Sequence, residues 1–181
     1  MRFAVELFFD PKADAAVRAL WTGVEPDHLT PMGARPHISL GVYASLDPDA
    51  ALPVLEAFAA REPVVPLSLA FVGTFASDEG VVFLGPQVSP ELIGLHTRMH
   101  DAFAGLGESL RYYRPGNWVP HCTVAWFLAA ADIGTAIDRC RRASLPIAAQ
   151  ATHIGLVGLP DVSAPTPISV EHRASYALEA P

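Results

Sequence analysis

Two short segments of the sequence each place a histidine and a hydroxyl side chain two positions apart. His37 and Ser39 form the first pair, His121 and Thr123 form the second, and a proline precedes each histidine. Because successive side chains of a strand point to opposite faces, each histidine should share a face with its hydroxyl. Two imidazoles on opposite sides of a phosphorus atom can act as base and acid in an in-line displacement. The hydroxyls can donate to the non-bridging oxygens and stabilise developing charge, so the pattern predicts phosphoester chemistry without a metal.

The elements around the two motifs are predicted from apolar alternation and from helical spacing. Alternation and turn signals predict strands over 2–9, 36–43, 64–76, 80–86, 119–128, 145–159 and 166–178. Helical spacing and start signals predict helices over 11–22, 47–61, 89–106 and 131–143. These elements must carry the two histidines to one place.

The order of these elements repeats along the chain. His37 and His121 are 84 positions apart, and a helix and then a long strand follow each of them. Within those strands, 69–75 aligns with 154–160 at nearly the same offset. We therefore predict an internal duplication, with repeat units of approximately 30–107 and 115–181 inside a single two-lobed domain. Lobes related by an approximate twofold axis can bring both motifs to one cleft.

The amino-acid composition of the chain restricts the binding partners that it can have. The net charge is -7, and eleven of the twelve basic residues are arginine, with Lys12 as the single lysine. This balance argues against duplex DNA, which requires clustered cations, but permits a small nucleotide or a short RNA end. Hydrophobic residues make up 51% of the chain, yet no stretch reaches the length of a membrane span, and Glu6 interrupts the apolar N-terminal run. We expect a cytoplasmic monomer that does not bind membranes.

Further residues could bind substrate beside the motifs. Tyr43 has the strand parity of His37 and is predicted to lie along the cleft, where an aromatic ring can stack on a base. Arg173 on the last strand could approach a phosphate, or it could face solvent. The loop 108–118 is rich in aromatic residues. It could cover a bound substrate, or its own side chains could simply pack together.

The remaining histidine and cysteine residues suggest other roles. His96 and His100 are four positions apart on a predicted helix, which is a spacing of metal ligands, but no H-E-x-x-H pattern accompanies them. We favour a structural role on the helix face over a metal hydrolase, and we predict neither metal nor cofactor. Cys122 lies on the opposite strand face from His121 and is expected to be a small buried hydrophobe.

Taken together, the two Pro-His-x-Ser/Thr motifs resemble those of the two-histidine phosphoesterases, which include bacterial RNA 2',3'-cyclic phosphodiesterases, also called 2'-5' RNA ligases. Residues 118–124 are especially similar to the second motif of that family, and the strand order and motif spacing agree over most of the chain. The resemblance implies an α+β fold that is bilobal, duplicated and pseudo-twofold, with a central cleft between two antiparallel sheets.

The same resemblance implies an activity and the residues that carry it. The expected reaction is metal-independent hydrolysis of a cyclic phosphodiester, such as a nucleoside or RNA-terminal 2',3'-cyclic phosphate, with 2'-5' ligation as its reverse. The implied catalytic set is His37, Ser39, His121 and Thr123, and which histidine is the base stays open. The alternative is a non-catalytic nucleotide-binding module that uses the same cleft.

Overall fold

Strands and helices alternate along the chain in the computed structural model, which describes residues 1–24, 26–159 and 169–179. The strands are β1 (Arg2–Phe9), β2 (His37–Leu46), β3 (Val65–Thr74), β4 (Val82–Pro86), β5 (Gly107–Ser109), β6 (Cys122–Ala125), β7 (Ile147–Leu159) and β8 (Glu171–Ala177). The helices are α1 (Pro11–Gly23), α2 (Pro48–Ala59), α3 (Pro90–Ala102) and α4 (Ile133–Arg141). Each predicted element is present, but the strand that carries the second motif is shorter than predicted, and residues 166–168 of the last predicted strand lie outside the described residues.

Three of the helices begin with the same combination of an N-capping side chain and a proline. A proline occupies the first turn of α1, α2 and α3, and the side chain of the preceding residue accepts a hydrogen bond from a backbone amide of that turn. Asp10 and Asp47 cap α1 and α2 in this way at 3.0 Å, and Ser89 caps α3 at 3.2 Å. Amide groups in the first turn of a helix have no hydrogen-bond partner within the helix, so proline, which lacks the amide hydrogen, is well tolerated there. The sequence around each of these positions therefore specifies where the helix begins.

The element order occurs twice. The series β1-α1-β2-α2-β3 is followed by β4-α3-β6-α4-β7, with β5 inserted before β6 and β8 added at the end. The two histidine motifs therefore occupy equivalent places, at the starts of β2 and β6. The repeat bounds 30–107 and 115–181 stay a prediction, and the segment 160–168 of the second unit lies outside the described residues.

One antiparallel sheet carries all of these strands, in the order β5-β2-β1-β7-β3-β4-β6, with β8 also paired to β7. Strand β7 has 13 residues and is shared by both halves of the sheet. Its first part pairs with β3, and its second part pairs with β1 and β8. The predicted α+β antiparallel fold is confirmed, and β7 joins the two expected sheets into one.

The sheet curves so that distant strands meet. β2 and β6 contact each other although four strands separate them in the sheet order. Helices cover the other face, where Val5, Leu7 and Ile38 are fully buried in one continuous core. Full burial of such a side chain stabilises the fold by about 1.5–3 kcal/mol, so the core side keeps the curved sheet in place. Within the described part of the chain, every helix falls short of what a membrane crossing requires.

Candidate active site

The first motif begins β2, with His37 at the edge of the concave face. Its Nδ1 lies 2.6 Å from the carbonyl oxygen of Arg35. Because a carbonyl can only accept, Nδ1 must carry the hydrogen, and Nε2 is the nitrogen that remains for proton transfer. The side chain is 23% exposed, and Nε2 lies 3.5 Å from Oε1 of Glu6.

The second motif repeats this arrangement. Nδ1 of His121 lies 2.8 Å from the carbonyl oxygen of Val119, again two residues before the histidine. Nε2 of His121 is therefore also left for proton transfer. In the described residues it makes no hydrogen bond or ion pair.

Several contacts bring the two motifs together. The backbone of His37 interacts with the thiol of Cys122, the residue next to His121. Burial lowers the pKa of His121, and the charge of His37 lowers it further, so the two imidazoles act on one another electrostatically. Cys122 itself is fully buried, and burial raises the pKa of its thiol to about 12, as expected for an inert core residue.

Two tryptophans hold the motif strands in place. The indole Nε1 of Trp118 donates to the carbonyl oxygen of Ser39 at 3.0 Å. Nε1 of Trp21, on α1, donates to the carbonyl oxygen of Thr123 at 3.1 Å. Each hydroxyl residue is thus anchored through its backbone, while neither hydroxyl is hydrogen-bonded within the described part of the chain.

Aromatic rings surround His121. Its ring contacts Phe75 edge-on at a centroid distance of 4.9 Å and Phe83 at 5.5 Å. Phe83 lies over Gly73 on the neighbouring strand, where a Cβ atom would come within 2.6 Å of the ring. Loss of hydration in these surroundings lowers the pKa of His121, since burial disfavours the imidazolium form. This shift favours the neutral form of His121 near pH 7.

Sequence reasoning missed the role of Glu6, which it treated only as a break in an apolar run. Glu6 is 3% exposed and is paired in register with Ser39. Burial raises the pKa of this carboxyl, while His37, His172 and Arg35 act to lower it. The available signal was a single charged residue inside an apolar strand, because buried carboxyl groups are rare unless they are paired.

The structure corrects the prediction for Tyr43. The pairing of β1 with β2 shifts register between Val5 and Glu6, so that β2 has an extra residue opposite this step. Beyond this bulge, the residues of β2 that would have faced the cleft face the core instead. Tyr43 is consequently 1% exposed in the core, with its ring 5.8 Å from Phe103 and its hydroxyl on the sulfur of Met99. It is not a cleft residue.

Arg173 lies on β8, at the point where the pairing of β7 with β8 shifts register. Its guanidinium forms an ion pair with Glu171 at 2.9 Å and is 38% exposed. The adjacent His172 is the residue of β8 that acts electrostatically on Glu6. The structure brings Arg173 into no contact with the two motifs.

His96 and His100 fasten the loop 108–118 and β2 to α3. Nε2 of His96 donates to the carbonyl oxygen of Tyr113 at 2.9 Å, and Nε2 of His100 donates to that of Leu40 at 3.1 Å. The ring of His96 stacks flat on Trp118 at 3.9 Å, and burial lowers the pKa of His96 to about 4. These contacts are structural, and the described residues contain no group of three metal-ligating side chains.

The loop 108–118 reaches the motifs through Tyr113. Burial raises the pKa of its hydroxyl to about 12, and both Glu79 and Glu6 contribute to the shift. The ring of Tyr113 therefore lies within electrostatic reach of Glu6, beside His37. Trp118 of the same loop contacts the first motif through the carbonyl oxygen of Ser39.

Comparison with known proteins identifies relatives of this arrangement. The model of the 2'-5' RNA ligase superfamily matches residues 9–161. E. coli LigT complexed with 3'-AMP has a TM-score of 0.63 and 18% identity, covering 98% of this chain and 97% of that one. The protein TT0787 of Thermus thermophilus has a TM-score of 0.62 and 15% identity, covering 98% of both chains. Likeness at this identity concerns the fold, and no curated protein sequence matches significantly.

Proposed function

The chain belongs to the 2'-5' RNA ligase superfamily, and on that premise we propose that it is a metal-independent phosphodiesterase that opens a nucleoside or RNA-terminal 2',3'-cyclic phosphate. The observation that carries the proposal is that the two histidines have the same local arrangement. Each has Nδ1 committed to the carbonyl oxygen two residues earlier, and each has a hydroxyl two residues later. The strands that carry them are in contact.

The proposed reaction uses only these side chains. One Nε2 removes a proton from water as the water oxygen attacks phosphorus, and the bond from phosphorus to one ribose oxygen breaks. The other Nε2 donates a proton to that oxygen. The hydroxyls of Ser39 and Thr123 donate to the non-bridging oxygens, where charge develops. If a 5'-hydroxyl attacks in place of water and the 3' oxygen leaves, the product is a 2'-5' linkage.

A small nucleotide or a short RNA end is the proposed substrate. The net charge of -7 disfavours a long polyanion. Phe71, on the same strand as Gly73, is 50% exposed and offers a surface on which a base can stack. Crystal structures of E. coli LigT complexed with 3'-AMP and with ATP show small nucleotides bound to that protein. Arg173 stays a proposed phosphate contact, and the cytoplasmic location and monomeric state stay predictions.

The test is a screen of cyclic phosphodiesters with mass detection of the opened product, in the presence of a chelator. Turnover should persist with the chelator and fall by about 10²–10⁴-fold in His37→Ala and in His121→Ala. His28→Ala is the matched control, because its ring lies against Phe127 and no described hydrogen bond, ion pair or ring contact joins it to either motif. Circular dichroism checks that each variant is folded.

The outcomes separate the two candidate functions. Full activity in both motif variants would refute the mechanism. Thermal stabilisation by nucleotides without any product would instead indicate the non-catalytic binding module.

A further inference from the structure

A buried carboxyl group makes the two halves of the site chemically different. We propose that Glu6 is a positioning residue that shares a proton with Nε2 of His37, so that His37 serves as the general acid and His121 as the general base. The inference rests on the proposed function and assigns roles that the pseudo-symmetric motifs leave open.

The geometry at His37 places a shared proton between two groups. Nδ1 is occupied by the carbonyl oxygen of Arg35, so only Nε2 can exchange a proton with the carboxyl group of Glu6, 3.5 Å away. The pair can be an imidazolium facing a carboxylate, or an imidazole facing a carboxylic acid. A proton lies on the His37 side of the cleft in both forms, where a leaving oxygen can take it.

The surroundings of Glu6 favour retention of a proton by this pair, because burial raises the pKa of the carboxyl group. Arg35 approaches with its guanidinium 4.1 Å above the ring of Phe8, and His172, held by the carbonyl oxygen of Gly33, approaches from β8. Both act with His37 to stabilise the carboxylate, whereas burial opposes it, and the hydroxyl of Tyr113 is the other titratable group that faces it. A carboxylate buried this deeply requires a positive partner, and His37 is within ion-pair distance.

The surroundings of His121 favour the opposite state. Phenylalanine rings face it where a carboxyl group faces His37, and no described acidic side chain forms an ion pair with it. A positive charge on His37 further disfavours a second charge on His121. The His37 side of the cleft therefore holds a proton that it shares with Glu6, while the surroundings of His121 favour the neutral imidazole, and this difference is what an acid and base pair requires.

The assignment gives a balanced reaction. Nε2 of His121 accepts a proton from water while the water oxygen bonds to phosphorus. The bond to the ribose oxygen breaks, and that oxygen takes the proton from Nε2 of His37. Solvent then removes the proton from His121 and restores the one shared by His37 and Glu6.

Two substrates with different leaving groups test the roles. A nucleoside 2',3'-cyclic phosphate expels a ribose oxygen that needs a proton, whereas bis(p-nitrophenyl) phosphate expels a phenolate that does not. Glu6→Gln should lower kcat on the cyclic phosphate about 10–100-fold and on the p-nitrophenyl ester less than about 3-fold. His37→Ala should show the same selectivity more strongly, and His121→Ala should lose both activities.

Glu62→Gln is the matched control, since Glu62 is another buried carboxyl group, and its described ion pair is with Arg98 and not with a motif residue. It should lower stability without changing the ratio of the two activities. An equal loss on both substrates in Glu6→Gln, or leaving-group selectivity in His121→Ala, would overturn the inference.

A measurement without substrate separates this inference from the proposed function. Nitrogen NMR of labelled histidine at pH 7 should show that the Nε2 signal of His37 shifts toward that of an unprotonated nitrogen in Glu6→Gln, because the shared proton is lost, while the His121 signal stays that of a neutral ring. If Glu6→Gln leaves the His37 signal unchanged, the inference fails even when the enzyme is active. If the signal shifts but neither substrate reacts, the proposed function fails instead.

Discussion

His96 makes the stability of this protein depend on pH in a way that can be calculated. It is 2% exposed, its Nε2 donates to the carbonyl oxygen of Tyr113, and its ring stacks on Trp118. Trp118 in turn binds the backbone of Ser39. Replacing His96 with glutamine keeps a donor at this position and removes the titrating group.

The magnitude follows from the pKa of His96, which burial lowers from 6.5 to about 4. The unfolded chain binds a proton more readily than the folded one, so stability is fully present above pH 6.5 and is lost as the pH falls toward 4. Between pH 7 and pH 5 the loss from His96 alone is about 2 kcal/mol. Carboxyl groups titrate mostly below this window.

The assay is urea unfolding of the wild type and of His96→Gln at pH 7 and pH 5. The variant should be less stable at pH 7, because it loses the stacking on Trp118, but its free energy of unfolding should fall about 2 kcal/mol less between the two pH values. Burial also lowers the pKa of His100 and of His121, and both groups are present in the wild type and in the variant. Equal losses in the wild type and the variant would refute the reasoning.

Three further predictions concern positions around the motifs. Trp21→Phe leaves the buried carbonyl oxygen of Thr123 without its donor and should lower the free energy of unfolding by about 1–3 kcal/mol in urea titrations, with an unchanged value counting against the anchoring role. Gly80→Ala should lower Tm by several degrees, because Gly80 has a φ of +60° and an added Cβ would lie 2.0 Å from the carbonyl oxygen of Leu128; a Tm within a degree of wild type would contradict this. The thiol of Cys122 should react with a disulfide reagent only after unfolding, since burial raises its pKa to about 12, and rapid labelling of the native protein would disprove its burial.

The family and the fold class could be predicted from the sequence, and both predictions are confirmed. The signals were local ones. A proline after Asp10 or Ser89 marks a helix start through bonds within one turn, and strand alternation puts His37 and Ser39 on one face by geometry alone. The catalytic roles of the motif residues stay a prediction.

The chemical character of the site came from residues that only pairing brings together. Tyr43 lies in the core because a bulge against β1 reverses the parity that holds at His37, and the pairing partner sets that bulge. Glu6 meets His37 through the register of two strands that are some thirty positions apart in sequence. The alternation of residues along each strand therefore determined which side chains were candidates for catalysis. The environments that distinguish the two imidazoles depend on long-range contacts, since burial and neighbouring charge are properties of the assembled sheet.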